Sequence, residues 1–359
     1  MSVKAPMSVE GPGSVEGPGS VEAPIIGWDL GGAHLKAARI DTQGRVADAL
    51  QLPCPLWEGL DRLDQAMGLA LERLGPAPTH ALTMTGEMAD LFPSRRAGVS
   101  AILACAAGRL HPGRVLVFAG SIGLVSREEA ERRPLAVASA NWLASAMLAA
   151  RRLPHGLLID IGSTTTDIIP FEDGRILALG ANDPERLAND ELVYTGIVRT
   201  PVMAVTDSVV FEGTRQAIVA ELFATMADAH RVNGTLPEDA DQMPAADRGG
   251  KSVADSARRL ARMLGRDFES HDLAAWKRFA ATLVDCQEAR IEQSCRRVLA
   301  RGCLPWDAPF VGAGCGKLFV PELAARLHRN HVDFTSLIAV EPAARYWAGV
   351  AAAAVSVAC

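Results

Sequence analysis

The stretch Leu157–Phe171, LLIDIGSTTTDIIPF, is an apolar run closed by an acid, a glycine turn and a second apolar run. A shorter echo, IGWDLGGAHLKAARI, occupies Ile26–Ile40. Placing Asp160 on Asp29 sets Ile161 on Leu30, Gly162 on Gly31 and Asp167 on Lys36, 131 residues apart. The register continues to Arg175–Ile176 over Arg45–Val46 with a single-residue gap. Each copy reads as strand, tight turn, strand, and then a polar turn (TQGR or EDGR) into a third strand, VADALQLPC or RILALG. The chain therefore opens the same antiparallel three-strand unit twice.

Working outward, LDRLDQAMGLALERLG carries Leu60, Leu63, Met67, Leu71 and Leu74 at spacings of three and four, an amphipathic helix ended by Gly75–Pro76. THALTMTGE and RVLVFAGSIGLVS read as more deeply buried strands. Leu135–Ala150 reads as one buried or crossover helix, too short to span a bilayer. From about 213 to 301 the pattern turns helical: AIVAELFATMADA places Ile218, Leu222 and Met226 four apart, and SVADSARRLARMLGRD puts Val253, Ala257, Leu260 and Leu264 on one face. Arg258, Arg259, Arg262 and Arg266 are then expected on a solvated face, and Gly234–Lys251 in a polar loop. APFVGAGCGKLFVPELAARL is strand, glycine turn and helix, and Glu341–Val357 a closing alanine-rich helix. The expected organisation is a first α/β lobe over 25–134 and a second over 135–359 with the helical insertion inside it. Residues 1–24 form four hexads, MSVKAP, MSVEGP, GSVEGP and GSVEAP, with too little to bury to offset ordering, and are expected to be a disordered tail.

Composition narrows the function. Hydrophobic residues make up 49% of 359, enough for a large core, and the net charge of −6 argues against a general nucleic-acid binder. The seven cysteines are scattered with no C-x-x-C pair, so neither a zinc site nor a disulfide framework is indicated, and reduced, mostly buried thiols in a cytoplasm are expected. No membrane partner is expected; an oligomer stays possible.

The repeated turn suits a phosphate. Gly31, Gly32 and Gly162 lack a Cβ, so positive φ and close approach to a ligand are expected there. Successive backbone N–H groups in such a turn form an anion site, to which Ser163, Thr164 and Thr165 add hydroxyls. Asp29 and Asp160 just before the turns would repel a bare phosphate, which makes sense if Mg²⁺ lies between. Two facing copies would then grip a diphosphate or triphosphate, with Gly312, Gly314 and Gly316 as a third loop.

At these residues the sequence resembles the superfamily of actin-like ATPases, sugar kinases and heat-shock 70 proteins: DLGGAHLK resembles its first phosphate loop, DIGSTTTDI its second, and VGAGCGK its third. That resemblance implies two ribonuclease-H-like lobes with a helical insertion in the second. Within it, DIGSTTTDIIPF, NDELVYTGIVRTPV (Asn189–Val202) and TMTGEMADLF (Thr83–Phe92) resemble the hydantoinase/oxoprolinase-related branch, and most closely the tetrahydromethanopterin-linked methanofuran-biosynthesis furan-methanamine synthase family. The resemblance implies transfer of a furanylmethyl group from its diphosphate to the phenol of a glutamyl-tyramine-like or tyrosine-like acceptor, with release of diphosphate. Asp29, Asp160 and Lys36, with Mg²⁺, would neutralise the departing group. Asp167 or Glu191 would accept the phenolic proton, Asp167 being preferred. Glu87, Asp190, Glu191, Tyr194 and Arg199 are candidates for the rim, Arg199 as a partner of diphosphate or a carboxylate.

The sequence departs from the superfamily at Ala33–His34, where relatives often carry Thr, and at Ser163 in place of a second glycine. Both departures weaken ATP turnover and are neutral towards a smaller diphosphate. His34 reads first as a strand-exposed imidazole, and Cys315 as a small side chain beside glycines rather than a nucleophile. Two other functions remain open at this point: an ATP-dependent kinase or oxoprolinase-type amide hydrolase, and a non-catalytic nucleotide-binding scaffold.

Overall fold

The structure, a computed structural model, describes residues 22–347 together with 352 and 354. Residues 1–21 of the hexad segment, and the expected closing helix beyond Trp347, lie outside these apart from Ala352 and Ala354.

The chain opens with β1 (Ile25–Leu30), β2 (His34–Ile40) and β3 (Val46–Pro53), then α1 (Leu60–Leu74), β4 (Thr79–Met84), α2 (Arg95–Leu110), β5 (Arg114–Phe118) and β6 (Leu124–Ser126). The six strands form one sheet ordered β3-β2-β1-β4-β5-β6. β1 pairs antiparallel with β2 and parallel with β4. All six residues of β1 are buried, as in a central strand covered on both faces, and Asp29 is the single acid among them. α1 ends where Gly75, at φ +74, donates its N–H to Leu71 O at 2.8 Å. Its apolar face (Leu63, Met67, Ala70) packs into a core with Trp28, Leu30, Leu82 and Ile102 of the sheet and α2. Each fully buried Leu, Ile or Val there contributes about 1.5–3 kcal/mol.

The helix expected over Leu135–Ala150 is two helices, α4 (Pro134–Val137) and α5 (Asn141–Arg152), after a short α3 (Arg127–Arg132). The break falls at Ser139, whose left-handed φ of 51° no helix accommodates. β7 (His155–Ile161), β8 (Thr166–Glu172) and β9 (Arg175–Ile176) then repeat the opening, although the third strand is only two residues long where RILALG suggested six. α6 (Asp183–Ala188), β10 (Leu192–Val193), β11 (Ser208–Phe211) and β12 (Thr214–Ala217) follow. Next come α7 (Met226–Asn233), α8 (Val253–Arg262), α9 (Leu273–Leu299), β13 (Phe310–Ala313), α10 (Val320–Arg326) and β14 (His331–Asp333). The second sheet runs β10-β8-β7-β13-β14, with β9 on β8.

Within 213–301, AIVAELFATMADA is not a helix. Its start completes the β11–β12 hairpin, Ile218 to Thr225 is irregular, and α7 begins at Met226 with a Thr225–Asp228 capping box. α8 begins at the Ser252–Asp255 capping box. Its arginines do not all face solvent. Arg259 is buried and donates to Asp228 Oδ1 at 2.8 Å and Asp247 Oδ1 at 3.0 Å. Arg258, Arg262 and Arg266 are exposed, as expected. A buried guanidinium is tolerated there because carboxylates and the Gly250 carbonyl satisfy its donors.

By compactness the chain divides into two units: 1–158, 169–183 and 332–359 in the first, 159–168 and 184–331 in the second. The 134/135 boundary read from the sequence falls inside the first unit. Among the described residues no helix is long and apolar enough to cross a membrane.

Candidate active site

In the first unit, β1 carries Asp29 opposite Lys36 of β2 and Thr83 of β4. The hairpin closes where Gly31 N–H donates to His34 O at 3.1 Å. Gly31, Gly32 and Gly162 do not take the positive φ expected of them. Crowding requires glycine at Gly31, where a Cβ would stand 2.5 Å from His34 O, and makes Gly162 tight, with a Cβ 3.2 Å from Thr165 O.

Asp29 is 1% exposed. Lys36 Nζ lies 3.0 Å from its Oδ2, while Oδ1 is buried without a hydrogen-bond partner. Thr83 Oγ1, on the neighbouring strand, is equally buried and unpartnered. No hydrogen bond of the described residues uses the N–H groups of Gly32 and Ala33. The loop thus offers two amide donors suited to an anion and a carboxylate oxygen suited to a hard cation. The orphaned Oδ1 fits Mg²⁺. No group of three His, Cys, Asp or Glu side chains among the described residues could hold a metal alone, so the remaining oxygens would be water and substrate. Lys36 neutralises Asp29 rather than standing free as a separate phosphate ligand. His34 is buried, not strand-exposed.

In the second unit the Gly162–Thr165 turn closes with Gly162 N–H on Thr165 O at 2.9 Å. A strap over 195–200 lies directly on it. Ile197 N–H donates to Gly162 O at 3.1 Å, and Val198 and Arg199 N–H to Ser163 O at 3.1 and 2.8 Å. Gly196 permits this contact, since a Cβ there would meet Ser163 C and Thr164 N at 2.5 Å. Arg199 Nη1 reaches Thr164 Oγ1 at 3.4 Å, so this arginine stands beside the turn. The N–H groups of Thr164 and Thr165 enter no hydrogen bond of the described residues.

The third glycine turn backs this one. Gly314, at φ +79, sits where a Cβ would be 2.3 Å from both Asp160 Oδ1 and Ile161 O, and Gly316 N–H donates to Ile161 O at 2.8 Å. Gly312 packs on Val320 and His331. Two of these three glycines therefore serve close packing against Asp160–Ile161. Cys315 is buried with Sγ 3.8 Å from Ile161 O.

The carboxylates proposed to receive a proton are otherwise engaged. Asp167 is ion-paired with Arg186, whose side chain is 2% exposed. Glu191 is fully buried against Arg301. Asp190 accepts from Arg297 at 2.9 Å and Ser294 at 3.1 Å. The NDEL string thereby ties α9 and the residues after it to β10. Glu87 differs: it is buried, Ser139 Oγ donates to its Oε1 at 2.7 Å, and its Oε2 has no partner. Burial pushes the Glu87 carboxyl above the usual range, against the lowering effect of the Ser139 hydrogen bond. Tyr194 is exposed. Arg186, Arg301, Ser139 and Gly196 escaped the sequence reading, because each acts on a partner that only folding brings near.

Two sheets with this strand order and paired Asp-Gly turns are the layout of the actin-like ATPase and sugar-kinase fold. A nucleotide-free structure of acetone carboxylase superposes with a TM-score of 0.52 at 11% identity, covering 85% of this chain and 67% of that one. The hydantoinase/oxoprolinase model matches residues 78–356, and the chain belongs to that family. Within it the chain falls with the methanofuran-biosynthesis synthases. It is 32% identical over 246 residues to the (4-{4-[2-(γ-L-glutamylamino)ethyl]phenoxymethyl}furan-2-yl)methanamine synthase of Methanocaldococcus jannaschii, covering 68% of this chain and 72% of that protein. It is 42% identical over 82 residues to the enzyme of the same name from Methanococcus vannielii, covering 23% and 36%.

Proposed function

We propose that this chain is a biosynthetic enzyme that joins a furanylmethyl group to a phenol with loss of diphosphate. The observation that carries this reading is the likeness to the Methanocaldococcus jannaschii synthase over 72% of its length. The product in that enzyme's name is a phenoxymethylfuran, an aryl ether whose O–CH₂ bond is the bond a furanylmethyl diphosphate and a phenol would form. The bond from the methylene carbon to the diphosphate oxygen breaks, and its electron pair leaves with diphosphate. The furan oxygen stabilises positive charge on that carbon, so the enzyme's main task is to receive the departing anion.

The chain supplies matching groups. The N–H groups of Gly32 and Ala33 in the first unit are suited to donate to diphosphate oxygens, and so, in the second, are those of Thr164 and Thr165 with Arg199. Asp29 in the first unit and Asp160 in the second are each a candidate Mg²⁺ ligand, and the ion when bound would add charge stabilisation at the leaving group. Lys36 would keep the buried Asp29 ionised by pairing with its Oδ2. The acceptor would be a glutamyl-tyramine-like or tyrosine-like phenol.

Purified protein incubated with Mg²⁺, a furanylmethyl diphosphate and a phenolic acceptor (tyramine or its γ-glutamyl amide, or tyrosine) should release diphosphate and an ether whose mass is that of donor plus acceptor less diphosphoric acid. No coupled ether with any of these acceptors overturns the reading. ADP released from ATP would instead favour a kinase or oxoprolinase-type hydrolase. Undisturbed cellular function in Asp29→Asn and Asp160→Asn would favour a non-catalytic scaffold.

A further inference from the structure

A coupling that consumes a phenol needs a group to take its proton, and the carboxylates nearest to hand by sequence are spent on arginines. Glu87 is not. It lies in the single turn Gly86–Met88 that follows β4, at the C-terminal ends of the parallel strands β1 and β4. Open α/β sheets take their ligands at that edge. Gly86 packs against the first anion turn so closely that a Cβ on it would stand 3.0 Å from Leu30 O and 3.3 Å from Gly31 C. The Glu87 side chain is 1% exposed, held at Oε1 by Ser139, and its Oε2 is left without a partner. A buried carboxyl oxygen left unpaired is costly unless a ligand group completes it.

We propose that Glu87 is the catalytic base, its Oε2 accepting the phenolic proton as the phenol oxygen bonds to the furanylmethyl carbon and diphosphate departs. This inference rests on the ether-forming reading above. The charged groups acting on Glu87 are Arg95, at the start of α2, which favours its ionised form, and Asp183, which opposes it. The two are themselves paired at 2.7 Å, so each offsets the other and burial dominates. A carboxyl raised by burial is a better match to proton transfer near neutrality than an ordinary one.

The test is Glu87→Gln assayed with two acceptors, tyramine and a ring-fluorinated tyramine whose phenol is already ionised at the assay pH. The expected result is a fall in kcat of about 10²–10⁴-fold with tyramine, largely recovered with the fluorinated phenol, and an unchanged KM for the diphosphate donor. A structural role would depress both acceptors alike. Ser139→Gly gives a second arm: glycine accepts the φ of 51° and removes the hydroxyl, so the acid limb of kcat/KM should move to higher pH. Undiminished kcat in Glu87→Gln, equal loss with both phenols, or an unmoved acid limb in Ser139→Gly overturns the assignment. An inactive wild type overturns the parent reading and this one with it. An active wild type with an active Glu87→Gln overturns this one alone.

Discussion

Two carboxylates of the repeated unit, Asp29 and Asp167, have different neighbours, and their neighbours decide what each can do. Asp29 shares Lys36 through one oxygen and keeps the other buried and unpartnered. Asp167, which aligns with Lys36 in the second copy, is committed to Arg186. Asp29→Asn should therefore lower kcat/KM for diphosphate release by about 100-fold or more, a loss of several kcal/mol of charge stabilisation. Titrating Mg²⁺ against the variant checks this, since saturating metal should not restore the rate. Arg186→Met leaves a largely buried carboxylate uncompensated and should cost about 3–5 kcal/mol of stability in a denaturant melt. Were Asp167 the base, Asp167→Asn would abolish the chemistry while the native fold kept its stability; we expect it to lose stability as well.

At the level of elements, the Gly162–Thr165 turn is closed by its own hydrogen bond and covered by the strap over 195–200, and a hydrogen-bond chain holds the strap. Gln287 of α9 donates to Thr195 Oγ1 at 2.7 Å and Gly196 O at 2.9 Å, and its Oε1 meets His230 Nε2 at 2.8 Å. Since the amide nitrogen is donating twice, His230 must donate through Nε2, and its Nδ1 then accepts from Thr235. The helical insertion thus helps to position the Gly162–Thr165 turn. Gly196→Ala would push a methyl into Ser163 and Thr164, costing about 1–3 kcal/mol. Inhibition by added diphosphate should weaken in that variant, and calorimetric titration with diphosphate measures the change. Unaltered diphosphate affinity would show that the strap does not set the turn.

For the molecule as a whole, each unit buries a histidine that resists protonation. Desolvation pulls His80, in the first unit, and His230, in the second, down to about 4 from the usual 6.5. His80 Nδ1 accepts from Trp28 Nε1 at 3.2 Å, which fixes its neutral tautomer. The unfolded chain binds these two protons near pH 6.5, whereas the native state binds them only near pH 4. Stability is therefore full above about pH 6.5 and falls as the pH drops towards 4, by an order of 3 kcal/mol for each histidine. Urea melts between pH 7 and 4 should show that decline, and His230→Gln should remove its share. A flat profile in the wild type would contradict the burial of both rings.

The repeat of Asp29 and Asp160, the glycine after each, and the apolar runs on either side were legible because strand, turn and strand are local facts of spacing. So were α1 and α8, whose periodicity and end residues lie within one window. Pairings between distant residues were not legible. Arg186 with Asp167, Arg301 with Glu191, Ser139 with Glu87 and Gln287 with Gly196 join residues up to 110 apart. Nothing in the spacing of acids along the chain distinguishes a carboxylate with a free oxygen from one held by a guanidinium. Sequence alone determined that two Asp-Gly turns exist; only tertiary packing decided which acids are spent on holding the chain together, because charge compensation in a low-dielectric interior depends on proximity in space.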